Sequence, residues 1–258
     1  MVKQFRHGER DMSGMDTART TTLAVKKAVQ AGGAFFFAPG TLARGTELGF
    51  DGLTLYICGR GGVLGDVAGE EVAAAFHHFT PGVLVPLWDA GRKISEPART
   101  GALYADCALA WGREHLAELP GLERLAEVTT RIVRENDLGM LAPLYTAWRA
   151  VPLAEDAPAR LAQNLQTLRE HRGGLHTLAL VAHRMPPLLA QVAEGSPYPE
   201  FYGYTKPFPE VTPELTERRK AVESLTDELV AASYAVLDED ESADFARLAP
   251  GLAERLAH

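Results

Sequence analysis

The sequence predicts an all-α protein with at most a few short strands. Apolar residues recur every three to four positions over long segments such as 98–119 and 212–237, which is typical of amphipathic helices. Glycine pairs and prolines separate these segments. The short apolar run 53–59 is the ambiguous one, because its pattern fits a strand or a buried helix. A chain of 258 residues can bury a large core without disulfides.

The N-terminal elements follow from capping and helix-breaking residues. We predict a mobile, polar tail followed by a helix that the pair Gly32-Gly33 ends. Pro39 can open the next helix at its first position. Asp66 and the acids that follow it favour a further helix entry. The predicted elements are a tail at 1–16 and helices at 17–31, 39–49, 66–80 and 81–91.

The remaining elements divide the chain into two helical halves, 17–136 and 137–258. Their predicted helices lie at 98–119, 122–135, 138–148, 156–171, 175–184, 212–237 and 244–256. Pro158 lies in the first turn of its helix, where proline is tolerated. The last two helices are amphipathic and predict dimerisation arms, so a homodimer is one expectation.

Composition argues against several classes of protein. A formal net charge of −8 argues against a broad nucleic-acid surface, because Lys and Arg dominate phosphate binding. No apolar run approaches the ~18–20 residues that a membrane span needs. The charged N-terminus lacks a secretory apolar segment, and Cys58 and Cys107 lie in apolar surroundings typical of free thiols. These features predict a cytoplasmic protein with no membrane partner.

The segment Glu170–His176 combines one acid, two histidines, one arginine and two adjacent glycines. A glycine inside a helix costs about 1 kcal/mol relative to alanine, so packing alone does not explain the pair. Polar side chains there also need partners if they are buried. We therefore predict that the helix breaks near Gly173 and turns its ionisable side chains inward, onto an enclosed cavity.

Each polar side chain of this segment has a candidate role. Glu170 or His171 could accept a proton if burial tunes its pKa, and these two are the candidate catalytic residues. Arg172, and Arg60 from the first half, could each bind a carboxylate or phosphate through the guanidinium fork. His176 would line the same polar end. The alternative is a buried Arg–Glu ion pair that joins the two halves.

Two further residues are candidate ligand contacts. His78 lies between Phe76 and Phe79, so it either completes the cavity near Arg60 or is a core imidazole bonded to a carbonyl. Tyr202 belongs to the aromatic and proline-rich segment 196–209. That segment is either a lid or wall of a small-molecule site or an irregular loop packed on its own side chains.

We predict no cofactor. A divalent metal or a haem at His171 or His176 stays an open alternative, since the two imidazoles converge only if the glycines break the helix. No nucleophile elbow, phosphate loop or zinc-protease signature occurs.

The segments 56–67, 71–81 and 168–176 resemble an actinobacterial family labelled helix-turn-helix, which has mainly helical, winged-helix-like halves. The resemblance covers roughly 24–90 and 138–237 and implies DNA binding only by fold analogy. This chain differs from the family before Leu215, where members have a helix-turn-helix core. Here the region is the proline-rich segment 196–209, whose lone lysine is Lys206. A recognition helix needs exposed polar and basic side chains over about three turns.

The sequence therefore supports three hypotheses. The first is a protein that binds a small organic molecule between its halves, as an enzyme of specialised metabolism or a resistance protein. The second is a ligand-responsive transcriptional regulator with a degenerate recognition helix. The third is a non-catalytic partner subunit. The candidate site residues are Glu170 and His171 as catalytic groups and Arg60, His78, Arg172, His176 and Tyr202 as ligand contacts.

Overall fold

Helices are the regular elements of the part of the chain that the computed structural model describes, residues 12–195 and 199–257. This confirms the predicted all-α class. No strand occurs in those residues, so they contain no β-hairpin wing. None of the described helices is long and apolar enough to cross a membrane.

Twelve α-helices and four short 3-10 helices form the described structure. The α-helices are α1 (Met12–Gln30), α2 (Pro39–Glu47), α3 (Gly52–Gly61), α4 (Gly69–Phe76), α5 (Pro81–Ile94), α6 (Pro97–His115), α7 (Leu122–Glu135), α8 (Pro143–Arg149), α9 (Ala157–Ala182), α10 (Pro187–Ala193), α11 (Pro213–Tyr234) and α12 (Glu239–Leu256). Proline opens α2, α5, α6, α8, α10 and α11, where its missing N–H costs no intrahelical hydrogen bond.

One N-terminal element differs from the prediction, and one that the sequence left ambiguous is a helix. Helix α1 begins at Met12, so residues 12–16 of the predicted tail are helical, and residues 1–11 lie outside the described part. The ambiguous run 53–59 belongs to helix α3. Asp51 decides this, because its carboxylate accepts hydrogen bonds from the backbone N–H groups of Leu53 and Thr54 and so caps a helix.

The prediction of a helix break at Gly173 is wrong, because α9 runs without interruption from Ala157 to Ala182. Helix packing explains one of the two glycines. A Cβ on Gly174 would collide with the Cβ of Ala142, so this glycine allows α9 to approach the start of α8 closely. A Cβ on Gly173 would meet nothing within 4 Å.

Two large apolar clusters fill the interior. We call the first the aliphatic core; its buried members include Val25, Val29, Leu125, Ile132, Leu161, Leu165, Leu168 and Leu252. We call the second the aromatic core; its buried members include Phe35, Phe36, Tyr56, Phe76, Phe79, Trp88, Tyr104 and Trp148. Helix α9 packs against α6, α7, α8 and α11. The apolar faces of α11 and α12, which predicted a homodimer, pack within the chain at Val230 and Phe245.

Helices α2 and α3 form a helix–turn–helix hairpin. Their four-residue connection, 48–51, contains Gly49 in the left-handed region at φ 92°. Most side chains of the second helix, α3, are buried in the aromatic core. The second helix of this hairpin therefore does not present a free face to a partner.

Candidate functional site

A cavity of about 710 Å³ lies between the aromatic core and the helices α9 and α11. It brings together six of the seven residues that the sequence predicted: Arg60, His78, Glu170, Arg172, His176 and Tyr202. Arg60 comes from α3, His78 from the turn between α4 and α5, and the next three from α9. Tyr202 lies in the short helical turn 199–202.

His171 does not line this cavity. In a continuous helix, positions 169, 172 and 176 share one face, and residue 171 points to another side. Its ring packs edge-on against Tyr145, and its Nε2 lies 3.0 Å from the Ser233 hydroxyl. Burial lowers the His171 pKa to about 4, so the imidazole is neutral near pH 7. These contacts make it a core imidazole.

Arg60 and Glu170 form a buried, bidentate ion pair between α3 and α9. The Arg60 Nε and Nη2 donate to the two Glu170 carboxylate oxygens, each at 2.7 Å. Tyr56 and Gln166 add hydrogen bonds at 2.9 and 2.8 Å. Burial, the largest single cause, raises the Glu170 pKa, but the charges of Arg60 and Arg169 and the hydrogen bonds from Arg60 and Gln166 together outweigh it and hold the pKa below its ordinary value. Glu170 is therefore a weak proton acceptor, and its geometry is that of an ion pair joining the two cores.

A second set of charges closes the opposite side of the cavity. We call it the six-charge network: Lys26, Arg172, Glu194, Arg219, Glu223 and Asp227. Glu223 is its centre, with Lys26, Arg172 and Arg219 at 2.7, 2.8 and 2.6 Å. Burial opposes its charge, but hydrogen bonds from Lys26 and Arg219 lower the Glu223 pKa to about 2. The network holds three cations and three anions, so it is neutral as a whole.

Arg172 belongs to this network and has no free fork. Its two terminal nitrogens bind Asp227 and Glu223 at 2.9 and 2.8 Å. Arg219 and the two acidic partners were not among the predicted site residues, although Arg219, Glu223 and Asp227 follow one another at four-residue spacing on α11. That spacing places three charged groups on one helix face and was a usable signal.

The two cavity histidines have opposite hydrogen-bonding characters. Gln191 Nε2 donates to His78 Nδ1 at 3.1 Å, which leaves the His78 proton on Nε2 as a donor. The Thr226 hydroxyl donates to the Val222 carbonyl, so it accepts from His176 Nδ1 at 3.1 Å. The Nε2 atom of His176 is then an acceptor. The ring centroids lie 6.2 Å apart.

An aromatic wall stands beside these imidazoles. The Tyr202 ring lies 4.9 Å from that of Phe79 and 6.0 Å from that of His78. The Tyr202 carbonyl also accepts a hydrogen bond from the Thr80 backbone at 2.8 Å, which fixes the turn to the start of α5. Of the two alternatives for segment 196–209, the described part at Tyr202 forms a wall of the cavity. Residues 196–198 lie outside the described part.

Acid should weaken the fold through the buried histidines. Burial is the main cause that lowers the pKa of His78 to about 3 and those of His171 and His176 to about 4. The unfolded chain, with histidine pKa values near 6.5, binds more protons than the folded one between pH 6.5 and 4. The free energy of unfolding is therefore expected to fall as the pH is lowered through this window.

Urea denaturation at pH 7 and pH 5 measures this change. His171→Gln should make the free energy of unfolding less dependent on pH, whatever its effect at pH 7. Glu223 is a separate contribution, because a carboxyl with a lowered pKa loses its stabilising effect only below about pH 4.5. Equal stability of the wild type at pH 7 and 5 would contradict this account.

Metal ligation has no candidate set in residues 12–195 and 199–257. No group of three or more His, Cys, Asp or Glu side chains there could hold a metal ion. His171 and His176, which the sequence named for a metal or haem, have Ser233 and Thr226 as partners.

Comparison with known proteins gives one family. A model described as a helix-turn-helix family matches residues 18–206 of the chain. No curated protein and no solved structure matches it.

Proposed function

We propose that this chain, which belongs to the helix-turn-helix family, binds a small organic molecule in the cavity. The family label describes a fold motif and no activity, so the function is inferred from the cavity itself. A site of this size is within the range of small-molecule sites, about 300–1,000 Å³. Such sites combine aromatic walls with a few polar groups that fix the orientation of the ligand.

The observation that carries this proposal is the pair His78 and His176. Both rings are neutral near pH 7, and each has its Nδ1 engaged by the protein. One Nε2 donates and the other accepts, so together they match a hydroxyl or an amide of a ligand. Arg60 and Glu170 neutralise each other, and the six-charge network is neutral as a whole. The roles proposed for Glu170 and Arg172 are to hold the cavity walls.

A large side chain in the cavity should weaken ligand binding. Gly173 lines the cavity in α9, and a Cβ added there meets nothing within 4 Å, so the backbone has room for a larger residue. We expect Gly173→Phe to fold and to reduce the affinity for phenylnaphthylamine, a neutral dye that fluoresces in apolar sites, by at least tenfold, a loss of about 1.4 kcal/mol. The measurement is a fluorescence titration of the purified protein.

Gly251→Phe is the matched control, because Gly251 is exposed within α12, lies outside the cavity and also has open space at its Cβ. It should bind the dye like the wild type. Equal affinities for the wild type and both variants would refute binding in this cavity.

Regulated DNA binding is the second candidate, and the family match favours it. Against it stands the region before α11, where the resemblance places the helix-turn-helix core of the family: residues 203–212 form no helix. Helix α3 of the α2–α3 hairpin does not replace it, because its side chains are largely buried and its arginine, Arg60, is bound to Glu170. A recognition helix must expose its first turns to the major groove. Retardation of DNA in a gel, falling steeply between low and moderate salt, would favour this candidate over the first.

A further inference from the structure

One cation of the cavity is left over when the charges are paired. Seven charged side chains line it: Arg60, Arg169, Glu170, Arg172, Glu194, Arg219 and Glu223. Arg60 and Glu170 neutralise each other. Arg172, Glu194, Arg219 and Glu223 belong to the neutral six-charge network, with Lys26 and Asp227 behind them. Among the described lining residues, Arg169 therefore carries an uncompensated positive charge.

The hydrogen bonds of Arg169 support the same conclusion. Its Nη1 lies 3.4 Å from Glu170 Oε1, a long contact to an oxygen that already accepts from Arg60 and Gln166 at 2.7 and 2.8 Å. No other acceptor in the described chain bonds to its guanidinium, which offers five N–H donors. The Arg169 side chain is 31% exposed, so a ligand can reach it.

Its surroundings hold the guanidinium in place. The Arg169 Cζ lies over the Phe36 ring, 4.9 Å from the centroid. A stacked arginine loses little further freedom when it binds a planar anion, and its fork matches two oxygens of one group. The cavity histidines are neutral and do not compete for such an anion.

We infer that the ligand of this cavity is a small organic monoanion whose carboxylate, sulfonate or phosphodiester group binds Arg169. This inference rests on the proposed function, because it names the class of ligand for the same site. The single unpaired positive charge, on Arg169, matches one negative charge of a ligand. A second negative charge on the ligand would face Glu170, Glu194 and Glu223 without a cationic partner. The donor and acceptor at His78 and His176 then serve an uncharged polar group of the same molecule.

Two dyes of similar shape test the sign of the charge. Anilinonaphthalene sulfonate carries one negative charge, and phenylnaphthylamine is its neutral counterpart. In fluorescence titrations of the full chain, the wild type should bind the sulfonate more tightly. Arg169→Gln should weaken the sulfonate about tenfold, because it removes charge-assisted hydrogen bonds, and leave the affinity for the neutral dye unchanged. Arg169→Lys, which keeps the charge, should recover part of the loss.

Arg99→Gln is the matched control, since Arg99 is exposed on α6 and outside the cavity. It should change neither affinity. The inference fails, with the proposed function intact, if both dyes lose affinity in Gly173→Phe but the sulfonate binds Arg169→Gln as tightly as the wild type. It also fails if Arg169→Gln weakens both dyes equally. Absence of saturable binding of either dye would overturn the inference and the proposed function together.

Discussion

Replacing Glu170 by alanine is expected to lower the free energy of unfolding by about 3–5 kcal/mol, the cost of leaving a buried charge without its partner. The side chains of Arg60 and Glu170 are 11% and 2% exposed, so water compensates poorly for the lost carboxylate. Chemical denaturation followed by circular dichroism measures the change.

Two controls identify its cause. The double variant Arg60→Met, Glu170→Leu removes both charges and should recover most of the lost stability, because neither member of the buried pair is left charged without the other. Glu228→Ala breaks an exposed ion pair, in which the side chains of Arg19 and Glu228 are 55% and 49% exposed. It should lower the free energy of unfolding by at most about 1 kcal/mol. A Glu170→Ala variant no less stable than Glu228→Ala would show that the buried pair contributes little.

Replacing each of the two neighbouring glycines of α9 by alanine should change the free energy of unfolding in opposite directions. At Gly174 a Cβ meets Ala142, so Gly174→Ala forces the two segments apart and should cost about 1–3 kcal/mol. At Gly173 the space is open, and Gly173→Ala should raise the free energy of unfolding by about 1 kcal/mol, the helix propensity of alanine over glycine.

Each glycine variant is the control for the other, since the chemical change and the helix are the same. Denaturation midpoints measured side by side decide the outcome. The double variant Gly174→Ala, Ala142→Gly should regain stability if the collision is the cause. If both single variants were equally stabilised, α9 and α8 would not meet as closely as the structure has them.

The helical class and most helices were predictable because apolar periodicity and proline positions are local signals. Helix α7 begins at Leu122 and ends at Glu135, as predicted. The broken helix at Gly173 was wrong for a tertiary reason. Local propensity assigns a cost to two glycines, but only the three-dimensional structure reveals that Ala142 lies against one of them.

The site was predictable as a set of residues, not as a set of roles. Six predicted residues surround one cavity, because polar groups in apolar context are informative wherever they occur. Their roles depend on partners far away in the sequence. Glu170 meets Arg60, and Arg172 meets two acids of α11. Arg169, the cation without a matching charge, looked ordinary in the sequence for the same reason.

The Arg60–Glu170 pair also has a consequence for any occupant of the cavity. It ties α3 to α9 through two hydrogen bonds of 2.7 Å and so sets the separation of the facing walls before anything enters. The site would be preorganised for a ligand, so ordering the protein would cost little of the binding free energy. Selection by size would then be strict, since widening the gap means breaking that clamp.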